Sequence, residues 1–298
     1  MNQRPILVTG ATGQLGSAVV AASGRLAVRP VARPDFDFAR PNSIATVLKQ
    51  VQPWLVVNAA AYTAVDKAET EPEAAFLANR DGPAELARVC AAGEIPLIHI
   101  STDYVFDGAK GSPYVETDPT APQCVYGASK LAGEEAVLMS CPHATVLRTA
   151  WLYAPGGRNF VRTMLALGRT RDRLTVVADQ KGCPTTAADL AAVIVAIATR
   201  IAKAGWSEEF QGVFHAVGSN WTTWYGLASA IFEEAASHGT PTPCVDPITT
   251  ADWPTPAKRP ADSRLDCAKL ARVFGLRLPE WRESLARTIG EIFAADGH

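Results

Sequence analysis

The sequence predicts an α/β fold, namely a Rossmann-like, doubly wound parallel sheet with a smaller α/β substrate-binding lobe. Short apolar runs alternate with longer amphipathic stretches through the first half of the chain, which is the pattern of βαβ units. A glycine-rich turn follows the first apolar run. Beyond Arg148 turns become frequent, and a proline-rich stretch runs from Thr240 to Pro260, which indicates a second lobe.

Hydrophobic periodicity predicts each element in chain order. In the first lobe it favours strands at Ile6 to Thr9, Trp54 to Asn58, Pro96 to Ser101 and Ala144 to Arg148, and helices at Gln14 to Ala22, Ser43 to Val51, Glu73 to Ala92 and Tyr126 to Met139. Later in the chain it favours a strand at Leu174 to Val177 and a helix at Ala187 to Ala202. Because that helix has the character of a sheet-covering element, we expect the two lobes to exchange chain.

Composition excludes several classes of function. The chain has 298 residues, of which 48% are hydrophobic, so it can bury a sizeable core. Its net charge of -2 lacks the basic excess that nucleic acids or anionic membranes select, so neither is an expected partner. The first residues have no signal-peptide pattern, and no run approaches the roughly 20 apolar residues of a membrane helix. We therefore expect a soluble cytoplasmic protein.

Cysteine and histidine are too scattered to predict a metal site. The six cysteines contain no Cys-x-x-Cys pair, and the five histidines form no cluster. We expect reduced structural thiols, as in a reducing compartment, and no metal bound by His and Cys.

The segment ILVTGATGQLG places Gly10, Gly13 and Gly16 after a strand and at the start of a helix. Backbone N–H groups at such a helix start can hold phosphates where side chains are absent, so the segment predicts a dinucleotide site. An ordinary glycine-rich turn remains the alternative. The predicted dinucleotide-binding domain spans residues 1–149 and about 174–204, and the substrate-binding lobe spans about 150–173 and 205–298.

The run VVNAAAYTAVD follows the strand that ends at Asn58. Its small residues Ala59, Ala60 and Ala61 offer a wall against which a nucleotide can lie, and Asn58 is placed to fix the loop. Tight packing of a helix on the sheet would require the same alanines.

Tyr126 and Lys130 stand four residues apart in VYGASKLAGEE, so a helix places both on one face. An adjacent ammonium favours the phenolate, which predicts that Lys130 brings the pKa of Tyr126 toward neutrality for acid–base work. Upstream, HISTDYVFDG ends a predicted strand in Ser101, Thr102 and Asp103, at the sheet edge where ligands bind. The alternatives are an amphipathic helix with an exposed lysine and a capped turn.

These segments together resemble the extended short-chain dehydrogenase/reductases, and within them the dTDP-4-dehydrorhamnose reductase family. The resemblance rests on TGATGQLG, VVNAAAYTAVDKAE, ISTDYVF, YGASKLAGE, LRTAWLY, the NF of GGRNF, DQKGCPT, TTWYGLA and KRPADSRLD. It implies reduction of a nucleotide-linked keto-sugar with NADPH or NADH. Tyr126 is then the proton donor to the oxygen at sugar carbon 4, Lys130 binds the cofactor ribose, and Thr102 assists.

The resemblance also implies the binding residues. For the cofactor they are Gly10, Gly13, Gln14, Leu15, Gly16, Arg33, Asp37, Phe38, Asn58, Ala59, Ala60, Ala61, Tyr62, Thr63, Ser101, Tyr126 and Lys130. For the substrate they are Thr102, Asp103, Trp151, Asn159, Phe160 and Arg259. An aromatic plate suits a deoxysugar face, although Trp151 also fits a core between the lobes. Arg259 suits a phosphate, although a surface ion pair is equally compatible with it.

The chain departs from the family pattern in two places. Where the family often has an acidic residue after the second strand, this chain has Ala32 and Arg33, which favours NADPH, unless Asp35 or Asp37 binds the ribose. Magnesium-bridged dimers of the family use carboxylates, and here the aligned positions are Ala18, Ala188 and Glu291. We therefore expect a monomer or a metal-independent homodimer.

Two other functions share this pattern. Sugar-nucleotide dehydratases and epimerases have the same fold and retain bound NAD, but the dehydratases usually follow Thr-Asp with Glu, whereas Tyr104 follows here. A regulatory subunit of methionine adenosyltransferase also resembles these reductases, and the intact set of Thr102, Tyr126 and Lys130 argues against that role.

Overall fold

The computed structural model describes residues 4–296. Its strands, numbered in chain order, are β1 Ile6–Thr9, β2 Val28–Val31, β3 Leu55–Asn58, β4 Leu97–Thr102, β5 Ala144–Thr149, β6 Leu152–Tyr153, β7 Arg173–Val177, β8 Lys181–Gly182, β9 Thr185–Thr186, β10 Gly212–His215, β11 Thr222–Thr223 and β12 Cys244–Ile248. Its α-helices are α1 Gln14–Ala22, α2 Pro41–Val51, α3 Val65–Ala68, α4 Pro72–Phe76, α5 Gly82–Ala92, α6 Val125–Ser140, α7 Phe160–Gly168, α8 Ala187–Ala204, α9 Trp224–Ser237, α10 Ala268–Phe274 and α11 Trp281–Asp296.

A six-stranded sheet forms the centre of the first lobe. Its order is β10-β5-β4-β3-β1-β2, and every neighbouring pair is parallel. The chain leaves β1 toward β2 on one side and then returns to build β3, β4 and β5 on the other side. The carboxyl ends of β1 and β3 therefore enclose the crevice where open α/β sheets bind ligands.

Apolar side chains cover both faces of this sheet. On one face α1 and α8 pack together, with Leu15, Val19, Leu190 and Ile194 in one buried cluster. On the other face α2, α5 and α6 contribute Ile44, Leu86 and Val137 to a second cluster. A third cluster joins α7, α9 and α11 to β7 in the second lobe. The buried valines and isoleucines of β1, β3 and β4 are expected for strands covered on both sides.

Strand pairing differs from the predicted division of the chain at two points. β7, which we assigned to the dinucleotide-binding domain, pairs with β12 in the second lobe. β10, which we assigned to the substrate-binding lobe, pairs with β5 and forms an edge of the central sheet. Both strands are short, and their partners are distant in sequence, so periodicity does not determine their partners.

The predicted helix from Glu73 to Ala92 contains an irregularity. It consists of α4, a π-helical turn at Leu77–Asp81, and α5. A π-turn leaves no periodicity signal in the sequence, and such turns are frequent at functional sites.

Within residues 4–296, no helix is long and apolar enough to cross a membrane. The same part of the chain contains no group of three or more His, Cys, Asp and Glu residues arranged to hold a metal. The six cysteines are free thiols, and Cys244 is exposed.

Candidate active site

A cavity of ≈ 810 Å³ lies at the carboxyl edge of the central sheet. It is bounded by the loops that follow β1 to β5, by α6, and by the start of the second lobe. Most of the predicted residues line it, namely Gly10, Gly13, Gln14, Leu15, Arg33, Asp37, Phe38, Ala59, Ala60, Ala61, Tyr62, Thr63, Ser101, Thr102, Asp103, Tyr126, Lys130 and Trp151. Gly16, Asn58, Asn159, Phe160 and Arg259 are not among the lining residues.

The glycine-rich turn brings the backbone of β1 against the loop after β3. Gly10 has a φ of +64°, and a Cβ there would lie 2.7 Å from the amide nitrogen of Ala60. A Cβ on Gly16 would lie 2.2 Å from the carbonyl oxygen of Gly10, so Gly16 serves the close packing of α1 rather than contact with a ligand. Gly13 caps α1, and among residues 4–296 no side chain bonds the N–H groups of the first turn of α1. Those N–H groups fit a dinucleotide diphosphate.

Asn58 acts beneath the cavity rather than in it. Its Oδ1 accepts hydrogen bonds from Thr9 Oγ1 at 2.6 Å and from the Ala60 amide at 3.2 Å. Its Nδ2 donates to His99 Nδ1 at 2.9 Å, and burial holds the pKa of His99 well below its usual value, so that the ring is neutral. Asn58 therefore fixes the backbone that forms the alanine wall, and its expected direct contact with the cofactor is replaced by this role.

Thr102, Tyr126 and Lys130 meet in the cavity. Thr102 ends β4, while Tyr126 and Lys130 share a face of α6. Lys130 is 2% exposed, and its Nζ donates to the carbonyl oxygen of Ile100 at 2.6 Å. Burial lowers the pKa of Lys130 to about 8.

The expectation that Lys130 lowers the pKa of Tyr126 is wrong in this geometry. Burial raises the pKa of Tyr126 above its ordinary value, and the group that opposes this rise is the Thr102 hydroxyl. The ammonium of Lys130 instead bonds to the β4 backbone. The raised pKa keeps Tyr126 in its protonated form.

Three buried polar atoms at the cavity have no hydrogen-bond partner in the described part of the chain. They are Ser101 Oγ, Asp103 Oδ2 and Thr149 Oγ1. The other oxygen of Asp103 accepts from Thr102 Oγ1 at 3.0 Å, and burial raises the pKa of this carboxyl to about 6. Because buried polar groups are costly when unpaired, such a set suits a ligand with several hydroxyl groups.

Asn79 is a site residue that the sequence interpretation missed. It lies on the π-turn and is fully buried. Its Oδ1 accepts from the Tyr62 amide at 2.8 Å, and its Nδ2 donates to the Tyr62 carbonyl and to Ser129 Oγ, each at 3.0 Å. Ser129 in turn donates to the carbonyl of Tyr126. Asn79 thus ties the loop after β3 to the helix that carries Tyr126.

Trp151 both lines the cavity and packs against a second tryptophan. It lines the cavity, and its indole stacks on Trp224 with ring centroids 3.5 Å apart and planes within 5°. Its φ of +46° is strained for a non-glycine residue. A Cβ on Gly182 would lie 2.2 Å from the Trp151 ring, so a glycine is needed beneath it.

Asn159 and Phe160 hold the second lobe together. Asn159 Oδ1 caps α7 by accepting from the Arg162 amide, and its Nδ2 donates to Gln14 Oε1 at 2.8 Å. Phe160 packs on Trp224 with ring centroids 4.7 Å apart. These contacts engage two side chains that we expected to bind the substrate.

Arg259 likewise has partners within the protein. One guanidinium nitrogen donates to the Tyr104 hydroxyl at 2.7 Å, and another lies 2.9 Å from Asp66 Oδ2. Tyr104 packs edge-on against Tyr126, with ring centroids 5.5 Å apart. Arg259 therefore supports Tyr126 through Tyr104, from the second lobe.

The far end of the cavity lies beyond β2. Arg33 is exposed, lines the cavity and makes no hydrogen bond or ion pair with any residue from 4 to 296. Asp37 also lines it, but one carboxylate oxygen accepts from the Ala39 amide at 3.0 Å and the other lies 3.8 Å from Arg40 Nε. Asp35 is not among the lining residues.

Comparison with known proteins agrees with this geometry. The family model described as RmlD substrate binding domain matches residues 3–293. A dTDP-4-dehydrorhamnose reductase from Sinorhizobium fredii is 46% identical over 285 residues, which cover 95% of this chain and 96% of the relative. A solved dTDP-4-dehydrorhamnose reductase from Clostridium acetobutylicum superimposes with a TM-score of 0.89 at 38% identity, covering 97% of this chain and 99% of that one.

A second solved reductase, from Bacillus anthracis and in complex with NADP, superimposes with a TM-score of 0.87 at 32% identity, with the same coverage of 97% and 99%. The glycine-rich turn, the strand-end hydroxyls and the Tyr-x-x-x-Lys helix all lie within the matched residues. The chain therefore belongs to the dTDP-4-dehydrorhamnose reductase family, a family of NAD(P)H-dependent oxidoreductases.

Proposed function

We propose that the protein reduces the carbon-4 ketone of dTDP-4-dehydro-L-rhamnose to dTDP-L-rhamnose, with Tyr126 as the proton donor. The proposal rests on one observation: Thr102, Tyr126 and Lys130 line the same cavity as the glycine-rich turn. If bound in this cavity, NAD(P)H would supply the hydride to the ketone carbon. The chain itself must then orient the sugar and deliver one proton to the oxygen.

The phenol of Tyr126 meets the requirements of that proton donor. A tyrosine hydroxyl is protonated at neutral pH, so it has a proton to transfer as negative charge develops on the sugar oxygen. Thr102 lies beside it at the end of β4, and rotation of its hydroxyl away from Asp103 Oδ1 would let it donate a hydrogen bond to the same oxygen. Lys130 Nζ donates to the Ile100 carbonyl, and its remaining N–H groups would donate hydrogen bonds to the ribose hydroxyls of the cofactor.

The remaining cavity groups suit the sugar. The unpartnered oxygen of Asp103 can accept a hydrogen bond from a ring hydroxyl. The indole of Trp151, held flat by its stack on Trp224, presents an apolar face to the methyl group and C–H bonds of a deoxysugar.

The test is oxidation of NADPH and of NADH by the purified protein with dTDP-4-dehydro-L-rhamnose, compared with UDP- and GDP-linked keto-sugars. We expect turnover with the dTDP sugar and a stoichiometric yield of dTDP-L-rhamnose. Turnover without added reductant, by protein that retains bound NAD, would instead assign it to the epimerases and dehydratases. A tight protein partner without oxidation of NADPH would assign it to the regulatory subunits.

We also propose a preference for NADPH. Arg33 is exposed at the cavity and uncommitted, and its planar fork suits the 2′-phosphate, whereas Asp37 is engaged by Ala39 and Arg40. Loss of a charge-assisted phosphate contact is worth about 1.5–3 kcal/mol, so Arg33→Ala should lower kcat/KM for NADPH by roughly 10- to 100-fold. The same variant should leave kcat/KM for NADH nearly unchanged. Equal losses for both cofactors would contradict the assignment.

A further inference from the structure

We propose that Arg158, from the second lobe, is an anchor for the diphosphate of the cofactor, and that the loop carrying it is tied to the glycine-rich turn by Asn159. The proposal rests on the NAD(P)H chemistry of the family but not on the identity of the sugar substrate. It assigns a cofactor contact to the lobe that is expected to bind substrate.

The position of the loop is fixed by contacts that cross between the lobes. Asn159 Nδ2 donates to Gln14 Oε1 at 2.8 Å, and Gln14 is the first residue of α1. Two residues earlier, Gly157 has a φ of +76°, and a Cβ there would lie 3.3 Å from Cγ of Gln14. The loop therefore lies directly on the N-terminus of α1, where the free N–H groups are found.

Arg158 lies between these two contacts. Its side chain is exposed, lines the same cavity as Gly13 and Gln14, and has no hydrogen bond or ion pair with any described residue. Arg162, one turn further on, is already engaged by the Pro155 carbonyl and by Asp296. Arg158 thus has its five N–H donors available at the cavity.

The negative charge of a bound diphosphate would need a cationic side chain near the glycine-rich turn. A dinucleotide diphosphate carries two negative charges, yet the turn TGATGQLG contains no charged side chain. The other cations that line the cavity lie elsewhere, Arg33 beyond β2 and Lys130 on α6. A guanidinium group can bind two phosphate oxygens in bidentate geometry. Arg158 can therefore add a direct charge-assisted contact to the diphosphate, beside the N–H groups and the dipole of α1.

Fragments of the cofactor separate this role from that of Arg33. ADP contains the diphosphate without a 2′-phosphate, and adenosine 2′-monophosphate contains the 2′-phosphate without the diphosphate. By calorimetry, we expect Arg158→Ala to weaken ADP, NADH and NADPH by a common factor of about 5- to 30-fold and to leave adenosine 2′-monophosphate unchanged. Arg33→Ala should weaken only NADPH and adenosine 2′-monophosphate.

Arg171→Ala is the matched control. Arg171 is exposed in the same lobe, has no partner among residues 4–296, and is not a cavity-lining residue, so its removal changes net charge without changing the site. We expect all four affinities to be unaffected. Unchanged binding of ADP to Arg158→Ala, or an equal loss in Arg171→Ala, would overturn the proposal.

dTDP distinguishes the two diphosphates that the cavity can meet. If Arg158 serves the cofactor, dTDP should bind Arg158→Ala as it binds the parent protein. A larger loss for dTDP than for ADP would move Arg158 to the substrate and overturn the proposal. Because these measurements contain no keto-sugar, they hold whether or not the proposed reaction is observed.

The tether is tested separately with Asn159→Ser. Serine keeps the cap on α7 but removes the amide that reaches Gln14. We expect ADP to bind more weakly, and the double variant with Arg158→Ala to lose no more than Arg158→Ala alone, because both act through one contact. Fully additive losses in the double variant would show that the tether does not act through Arg158.

Discussion

The two walls of the cavity differ in how their residues are used. On the first-lobe wall, Gly13, Tyr126 and Lys130 line the cavity as their motifs predict. On the second-lobe side, which we call the rim, Asn159 and Arg259 instead bond to Gln14 and Tyr104 of the first lobe. Strand ends and helix spacing determine the first wall locally, whereas the rim depends on contacts between residues far apart in sequence. A motif therefore predicts where a side chain lies reliably only when local structure determines its position.

The largest expected effect on the first wall comes from Tyr126→Phe. Removal of the donated proton should lower kcat by roughly 10²–10⁴-fold and leave the dissociation constant of NADPH nearly unchanged. Tyr104→Phe is the matched control, because it keeps the ring that packs on Tyr126 and loses only the hydroxyl bound by Arg259. Its kcat should fall less than tenfold. A Tyr126→Phe enzyme with more than about half of the parent activity would remove this residue from the mechanism.

Asp103→Asn should raise stability while it lowers activity. Burial raises the pKa of the Asp103 carboxyl to about 6, from an ordinary value of 3.8, so its ionised form destabilises the fold. That cost is fully present above pH 6 and disappears as the pH falls toward 3.8. Two pKa units correspond to about 3 kcal/mol, so urea unfolding at pH 8 should show a gain of up to about that size, and none at pH 3.5.

Asp35→Asn provides the control for this measurement, because Asp35 is exposed and has no hydrogen bond in the described chain. Its unfolding free energy should match that of the parent at both pH values. A loss of stability in Asp103→Asn at pH 8 would show that the Asp103 carboxylate is stabilised by its surroundings rather than strained by burial.

Asn79→Ala tests the hydrogen bonds by which Asn79 joins the loop after β3 to helix α6. It leaves the amide and carbonyl of Tyr62 without their side-chain partner, which should cost about 2 kcal/mol of unfolding free energy. Since Tyr62 lines the cavity, the dissociation constant of NADPH should rise as well. Ser129→Ala removes only one of the Asn79 contacts and should cost about 1 kcal/mol, with cofactor affinity retained. Unchanged affinity in Asn79→Ala would restrict Asn79 to a structural role.

Arg259→Lys tests whether Arg259, on the second-lobe side of the cavity, supports Tyr126 or binds the substrate. A lysine cannot bond Tyr104 and Asp66 with one planar fork, so the brace on Tyr126 should loosen. We expect kcat to fall less than tenfold and KM for the sugar to change little. A rise of more than about tenfold in KM with kcat unchanged would instead show that Arg259 binds the substrate, and the contrast between the two walls would fail.

Magnesium should not change the oligomeric state of the protein. Ala18 and Ala188 cannot coordinate a cation, and Glu291 alone supplies a single carboxylate. Light scattering in EDTA and then with added magnesium should give the same mass, that of a monomer or a metal-independent homodimer. A mass that doubles with magnesium would show that other carboxylates form the bridge.

The sequence predicts the first lobe well because its signals are local. β1 and α1 begin and end at the predicted residues, and β3, β4 and β5 lie within one residue of theirs. The partners of β7 and β10 are set by packing across the molecule, which periodicity does not report. The sequence interpretation missed Asn79 and Arg158 for the same reason. Asn79 lies on a π-turn inside an apparently regular helix, and Arg158 lies on a loop whose position depends on the distant residue Gln14.

The stacked pair Trp151 and Trp224 gives the protein an internal optical reporter. Trp151 follows the end of β5, whereas Trp224 opens α9 of the second lobe. Two coplanar indoles 3.5 Å apart share their electronic excitation, and this coupling is highly sensitive to separation and relative angle. A slight shift of α9 against the segment that follows β5 would therefore alter the near-ultraviolet circular dichroism and the fluorescence of the native enzyme, without any attached dye.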